Sequence, residues 1–459
     1  MTLLDDSDRR PVHFVGIAGA GMSALAELFL RRGVAISGCD SMIAGTDHLR
    51  SLGASIVQGH DAAHVDGIRA IVVTSAVSPS HPELERAREL NIPVVRRAEA
   101  LGEAVSGGQL VAIAGTHGKT TTTVMTTEAF AEAGLEPTGL VGGRVASWGG
   151  NLRYGSDRLF VAEADEYDRS FLALTPSVAV VTNVEADHLD IYADLADIHE
   201  TFARFIGPAR YVVLCADDSG AAGLPVPSSA EIVRYGTDSF DARLVARDVR
   251  ATAAGGTSFD AHFDGESLGR VELRVPGMHN VRNALAALAS GLVLGAPADA
   301  LVRGLAAFGG VDRRFQRLGE CAGVSVVDDY AHHPTEIRAT LQAARAAYPG
   351  RRIIAAFQPH LFTRTRDFAG EFGRALAQAD AIFLTEIYAA REQPIAGVTA
   401  ALVADEASSA GLAPSWQGER TALAAALEGF VREGDVVLTI GAGDVTRTGA
   451  ELLALLSQR

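Results

Sequence analysis

The chain has 459 residues, enough for two to four domains, with 48% apolar and 21% charged side chains, the balance of an ordinary globular protein. Forty basic against 56 acidic side chains leave a formal charge of −16, which argues against binding nucleic acid or an anionic membrane surface. Cys39, Cys215 and Cys321 are far apart and odd in number, so neither a disulfide framework nor a zinc ribbon is suggested.

Strand-like and helix-like patterns alternate along the chain, the signature of α/β layers with parallel sheets. The first block opens with a strand at Val12–Val15, a glycine turn and an amphipathic helix over 22–32. A second strand at 35–38 runs on to Asp40, and further strands are expected at 70–74 and 93–95. Between the first strand and helix lies Gly16-Ile-Ala-Gly19-Ala-Gly21. Glycines there let the backbone approach a diphosphate, and the helix N-terminus favours its charge. The spacing is GxxGxG, not the GxGxxG of nicotinamide-binding folds, so a nicotinamide cofactor, another nucleotide diphosphate and plain tight packing all remain open.

Gly107-Gly108 reads as a linker into the second block. There the apolar run 110–114 leads into Gly115-Thr116-His117-Gly118-Lys119-Thr120-Thr121 and a helical segment. Such a loop offers backbone N–H groups to phosphate oxygens, a lysine for the terminal phosphates and a hydroxyl for Mg²⁺. The common eight-residue phosphate loop would need glycine at 113, which is Ile113, so this is a shorter loop or a chance glycine cluster. A buried strand at 158–162 then ends in Glu163-Ala-Asp165-Glu166, where a carboxylate beside the lysine loop suits Mg²⁺ on a nucleoside triphosphate. A strand at 178–182 leads into Asn183, Glu185, Asp187, His188 and Asp190. The histidine alone suggests zinc or manganese, and capping acids at a helix start are the plain alternative. Residues 242–275 alternate like an antiparallel patch, and 284–296 is apolar but too short to span a bilayer.

The third block follows Gly309-Gly310, with strands at 324–328, 353–357, 381–385 and 435–440. Asp328-Asp-Tyr-Ala-His-His-Pro334-Thr-Glu336 would be a metal site, an acid–base pair or a decorated helix cap. Phe357-Gln-Pro-His-Leu-Phe-Thr-Arg364-Thr-Arg366 brings two arginines after a strand, suited to carboxylate or phosphate recognition or to surface ion pairs.

In this order, and with the segments at 279–283, 313–315 and 387–394, these motifs resemble the Mur ligases, the ATP-dependent amide-forming enzymes of peptidoglycan precursor synthesis. The resemblance covers nearly the whole chain. It implies an α/β protein of three domains: a Rossmann-like UDP-sugar domain (1–107), a central P-loop ATPase-type domain (108–310) and a Rossmann-like amino-acid domain (311–459). It also implies a ligase that joins L-alanine to the lactyl carboxylate of UDP-N-acetylmuramate at the expense of ATP and Mg²⁺. Gly16, Ala18, Gly19, Ala20 and Gly21 would cradle the UDP diphosphate, with Asp40 and Ser75 nearby and His117 on the same substrate.

Lys119, with Gly115, Thr116, Gly118, Thr120 and Thr121, would hold the ATP phosphates, His279 and Asn283 the adenine, and Arg314 the phosphates from the third domain. Thr120, Glu163 and His188 would serve Mg²⁺, and Tyr330, His332 and Arg364 the alanine. His332 and His188 are both candidates for the base that takes the amine proton. Leu361 lies where some members carry arginine, Tyr167 where serine is frequent, and 190–210 has no lysine to carbamylate as several members do. A cytoplasmic protein without membrane insertion is expected, since the first residues lack the order of a signal peptide. Both monomer and homodimer are compatible with the chain.

Overall fold

The computed structural model describes residues 2–458 apart from Asp6, Asp190 and Arg391. The chain falls into two compact units, one of Met1–Arg247, Asp260–Val271 and Arg282–Phe308, the other of Asp248–Phe259, Glu272–Val281 and Gly309–Arg459. The predicted α/β layers are present as three sheets. Asp190, part of the expected acidic cluster, lies outside the described residues.

The first sheet belongs to the first unit. Its strands are β1 (Val12–Val15), β2 (Ile36–Asp40), β3 (Ser55–Gln58), β4 (Ala70–Val73) and β5 (Val94–Arg96). They are all parallel, in the order β3-β2-β1-β4-β5. That doubly wound order reverses direction at β1, where open α/β sheets place ligands. Strand β3 was not expected, because only Ile56 of its four residues is buried and no periodic signal survives. The helix Ala20–Arg31 starts two residues before the expected position, directly from the glycine turn.

The second sheet supplies β6 (Gln109–Ala114), β7 (Thr138–Val145), β8 (Gly150–Arg153), β9 (Leu159–Glu163), β10 (Val178–Val181), β11 (Tyr211–Cys215) and β12 (Glu231–Gly236). Their order is β12-β11-β10-β6-β9-β7-β8. All pair in parallel except β7 with β8, an edge hairpin that the sequence did not announce. Three further strands, β13 (Leu244–Ala251), β14 (Thr257–Phe263) and β15 (Glu266–Leu273), occupy the stretch read as an antiparallel patch. After β6, the helix Lys119–Glu132 is buried nearly all round although it begins with four threonines. Three of its hydroxyls are satisfied within the helix, while that of Thr122 is buried without a partner. Thr123, Thr126 and Thr127 each donate to the carbonyl four residues back, at 2.7–2.9 Å, so burying them leaves no orphan there.

The second unit carries β16 (Gln316–Cys321), β17 (Val324–Asp329), β18 (Ile353–Phe357), β19 (Ala381–Thr385), β20 (Trp416–Gly418) and β21 (Val436–Ile440), in the order β16-β17-β21-β18-β19-β20. Only β16 is antiparallel, pairing with β17 at an edge. The central strands are buried on both faces, which is why they read as unbroken apolar runs. Leu438 packs on one face with Ile353, Ala355 and Phe357, and Val437 on the other with Ile354 and Ala356.

Leu438 is fully buried between β17 and β18. Leu438→Ala should cost this unit about 2–5 kcal/mol, from lost transfer energy and a residual cavity. Urea unfolding read by circular dichroism checks it, and a loss below ~1 kcal/mol would mean that the sheet collapses around the gap.

Candidate active site

The glycine turn after β1 is locked to the end of β2. The N–H groups of Gly16 and Ile17 donate to the Cys39 carbonyl at 2.8 and 3.1 Å. The Ala18 N–H donates to Asp40 Oδ2 at 3.0 Å, and Asp40 Oδ1 accepts from the Met42 N–H at 3.2 Å. Asp40 therefore positions the loop as well as lining the space beside it. That space is a cavity of about 360 Å³, lined by Gly16, Gly19, Ala20, Gly21 and Asp40 from the first sheet and by Gly142 and Glu163 from the second. Thr74 lines it, while Ser75, the expected residue, is the next and exposed position. Arg97, which no motif singled out, also lines it, its Nη2 3.9 Å from Asp165.

The second glycine loop is laced to the segment after β10. Thr116 N–H donates to the Asn183 carbonyl at 3.1 Å and His117 N–H to Asn183 Oδ1 at 2.7 Å. The His117 carbonyl in turn accepts from Thr182 Oγ1 at 2.6 Å and Asn183 Nδ2 at 3.1 Å. Two positions demand glycine. Gly115 has φ +136°, and a Cβ on it would lie 2.0 Å from Thr182 Oγ1. Gly118, at φ +83°, would bring a Cβ to 2.8 Å from Asn283 Oδ1, so Asn283 sits against the loop.

Lys119 opens the following helix and turns its ammonium back. Nζ donates to the Gly115 carbonyl at 2.7 Å, the Thr116 carbonyl at 3.2 Å and both Glu166 oxygens at 2.8–2.9 Å. Burial works against its charge, but Glu166, Asp165 and Glu163 outweigh that and hold the ammonium above its ordinary value. His188 converges on the same carboxylate. Its Nε2 lies 3.7 Å from Glu166 Oε1 and 3.8 Å from Asp187 Oδ2, its ring edge-on to Tyr167 at 5.1 Å. Its φ of +54° marks a constrained turn. Glu163 ends β9 opposite Ile113, on the strand beside the one that carries the loop. Glu166 is the residue that sequence reasoning passed over. It stood in the quoted acid run, but its burial and its pairing with Lys119 are long-range facts.

The remaining candidates belong to the second unit. Tyr330 is flanked by two guanidinium groups, Arg313 at 4.7 Å and Arg314 at 5.2 Å from its ring centre. Arg314 Nη1 lies 3.6 Å from Glu336 Oε1, and His332 Nδ1 lies 3.2 Å from Glu336 Oε2 and 3.1 Å from the Tyr330 carbonyl. His333 caps the helix Pro334–Ala347, as the helix-cap reading of this segment expected. Arg364 is buried in the first turn of the helix Phe362–Leu376, and Leu361 before it has φ +69°. The Leu361 N–H donates to the Tyr388 carbonyl at 3.0 Å, and its carbonyl accepts from Thr365 N–H and Oγ1 at 3.1 and 2.7 Å. His279 folds over Gly277, where a Cβ would lie 2.6 Å from its ring. Asp329 is buried, accepting the N–H groups of Phe315 and Ala331 at 2.8 Å each.

Three stretches match Mur ligase profiles: residues 11–109 the family's catalytic domain, 113–291 the middle domain and 313–443 the glutamate ligase domain. The UDP-N-acetylmuramate–L-alanine ligase of Acidothermus cellulolyticus is 47% identical over 443 residues, 94% of this chain and 91% of that one. The enzyme of the same name from Salinibacter ruber is 45% identical over 453 residues, 97% and 95% of the two chains. The crystal structure of UDP-N-acetylmuramate–alanine ligase from Thermotoga maritima superposes with a TM-score of 0.82 at 30% identity, over 97% of this chain and 98% of the other.

Burial pushes the Asp329 carboxyl up to about 6, with Arg314 and the two N–H groups pulling the other way. In the unfolded chain the group titrates at about 4, so the native state holds its proton more tightly. The resulting stability is fully present below about pH 4 and is lost as pH rises through about 6, by at most ~3 kcal/mol. Urea unfolding of wild type and Asp329→Asn at pH 4 to 7 should show this loss in the wild type only. Parallel curves would mean that Asp329 ionises at its ordinary value.

Proposed function

We infer the reaction from one premise: the chain belongs to the Mur ligase family. It is an ATP-dependent ligase that joins L-alanine to the lactyl carboxylate of UDP-N-acetylmuramate through an acyl phosphate, giving ADP and phosphate, in peptidoglycan precursor synthesis. The shared name of the relatives supports the substrates. The observation that carries the reading is the single cavity lined by both the first glycine loop and Glu163, beside the lysine loop. A sugar nucleotide held there has its carboxylate next to phosphate-handling groups.

A carboxylate is a poor electrophile, and phosphorylation gives it a leaving group. Gly16, Ala18, Gly19, Ala20 and Gly21 cradle the UDP diphosphate, with Asp40 fixing the loop and Ser75 and His117 completing the substrate's contacts. The backbone of Gly115, Thr116, Gly118 and Thr121 holds the ATP phosphates, and His279 and Asn283 the adenine. Lys119 reaches the terminal phosphates by trading the Glu166 carboxylate for phosphate oxygens. Arg314 adds a second cation to the charge spread over the transferring phosphoryl group.

Glu163 and Asp165, both of which act on the Lys119 ammonium, supply the oxygen donors that a hard divalent cation prefers, and Thr120, Glu163 and His188 are the residues proposed to hold Mg²⁺. When bound, Mg²⁺ neutralises phosphoryl charge. Tyr330, His332 and Arg364 receive L-alanine. Glu336 orients the His332 ring as the acid of a triad orients its base, which supports His332 over His188 as the group that takes the amine proton. The division into 1–107 for the UDP-sugar, 108–310 for ATP and 311–459 for the amino acid is supported by the three matched stretches. No helix among the described residues is long and apolar enough to cross a membrane.

The direct test is phosphate release from ATP with UDP-N-acetylmuramate and each amino acid in turn. Release is expected only with both, and fastest with L-alanine; release without the sugar nucleotide would sink the reading. Lys119→Ala should lower kcat on the order of 10²–10³-fold or more while UDP-N-acetylmuramate still binds. Normal turnover in that variant removes the loop from the chemistry. Arg364→Ala should raise the KM for L-alanine roughly 10–100-fold and leave that for ATP little changed. Equal effects on both would take Arg364 out of the acceptor pocket.

A further inference from the structure

Behind the glycine loop of the first sheet, a second cluster takes no part in the ligase chemistry. Glu83 sits fully buried at the start of the helix Pro82–Glu89, and its carboxylate gathers three potential ligands. His13 Nε2 from β1 is 3.2 Å away, Cys39 Sγ from β2 is 3.1 Å away, and His64 Nδ1 from the turn Ala62–Val65 is 3.0 Å away. One donor atom from each of the four lies within 4.8 Å of all the others. Tetrahedral zinc, with bonds of about 2.0–2.3 Å, spaces its ligands roughly 3.3–3.8 Å apart, so small rotations would close a shell. We propose that His13, Cys39, His64 and Glu83 form a binding site for a soft divalent cation, zinc above all.

The chemistry favours zinc over magnesium, because a thiolate and two imidazoles are poor partners for a hard ion. Charge favours it as well. Zn²⁺ with one thiolate and one carboxylate is neutral overall, which suits a site walled by Val15, Val65, Ile71 and Leu84. The outer contacts are already built: His13 Nδ1 meets Ser37 Oγ at 2.9 Å, which fixes the ring and leaves Nε2 for the ion. His60 stands behind Cys39, its Nδ1 3.3 Å from Sγ, and the part-exposed His60 and His64 side chains give a path from solvent. The four ligands span 70 positions from His13 to Glu83, so no ribbon-like spacing could announce them. Because the Cys39 carbonyl anchors the Gly16 and Ile17 N–H groups, an ion here stiffens the glycine loop from behind.

The full chain, stripped of metal, is titrated with Co²⁺ and followed by absorption, without ATP or sugar nucleotide, so the outcome is independent of the ligase reading. One equivalent is expected to give a sulfur-to-cobalt charge-transfer band and four-coordinate visible bands, both displaced by Zn²⁺, with Zn²⁺ raising Tm. Cys39→Ser should abolish the sulfur band, and Cys215→Ser should keep it. His64→Ala, at a part-exposed position, should weaken binding by the ~10–100-fold seen when even an outer partner is lost, which keeps the test valid should Cys39→Ser fold poorly. The absence of a sulfur band in the wild type, or binding unchanged in His64→Ala, overturns the site and leaves a hydrogen-bond network around Glu83.

Discussion

The candidate phosphate site hangs from one constraint, the parallel pairing of β6 with β9 on one side and β10 on the other. Strands that run the same way end on the same side, so the loops that follow them meet without further design. Ala114 closes β6 beside Val181, and Ile113 lies opposite Glu163. The lysine loop, the acid run and the Thr182–Asn183 segment are thereby delivered to one edge. The lacing between His117 and Asn183 then converts nearness into fixed geometry.

Charge is organised on the same plan in both units, with cations held against carboxylates instead of left to solvent. Lys119 is wrapped by Glu166 and two carbonyls, and Arg314 by Glu336 and the Tyr330 ring. A buried ammonium without such partners would lose its proton; surrounded by three acids it keeps it. In a chain of net charge −16, positive potential for phosphate is a local construction of these few groups.

Much of the fold was legible because the central strands are apolar on both faces and several end at glycine or acid. Val12–Val15, Ile353–Phe357 and Ala381–Thr385 lie where the sequence puts them. The edges were not legible. β3 buries a single residue, and the hairpin of β7 with β8 turns at Gly149 without an alternating pattern before it. Of the site, the glycines, Lys119 and Glu163 stood out because chemistry ties them to local spacing. Glu166 and Arg97 did not, because their partners lie tens of residues away, and Asp329 did not, because its role rests on burial. Asp40 was read as a ligand contact, and only the structure adds its hold on the Ala18 N–H.

Leu361 enters its helix with an unusual backbone. A non-glycine residue at φ +69° and ψ 138° carries a strain of about 1–3 kcal/mol, and here hydrogen bonds to Tyr388 and Thr365 pin the backbone on both sides. The strain belongs to the backbone; it is similar for side chains unbranched at Cβ and larger for Val, Ile or Thr. The course of the chain into the helix is therefore held by its main-chain bonds, and the leucine side chain itself is left to fill the buried space at the helix entrance.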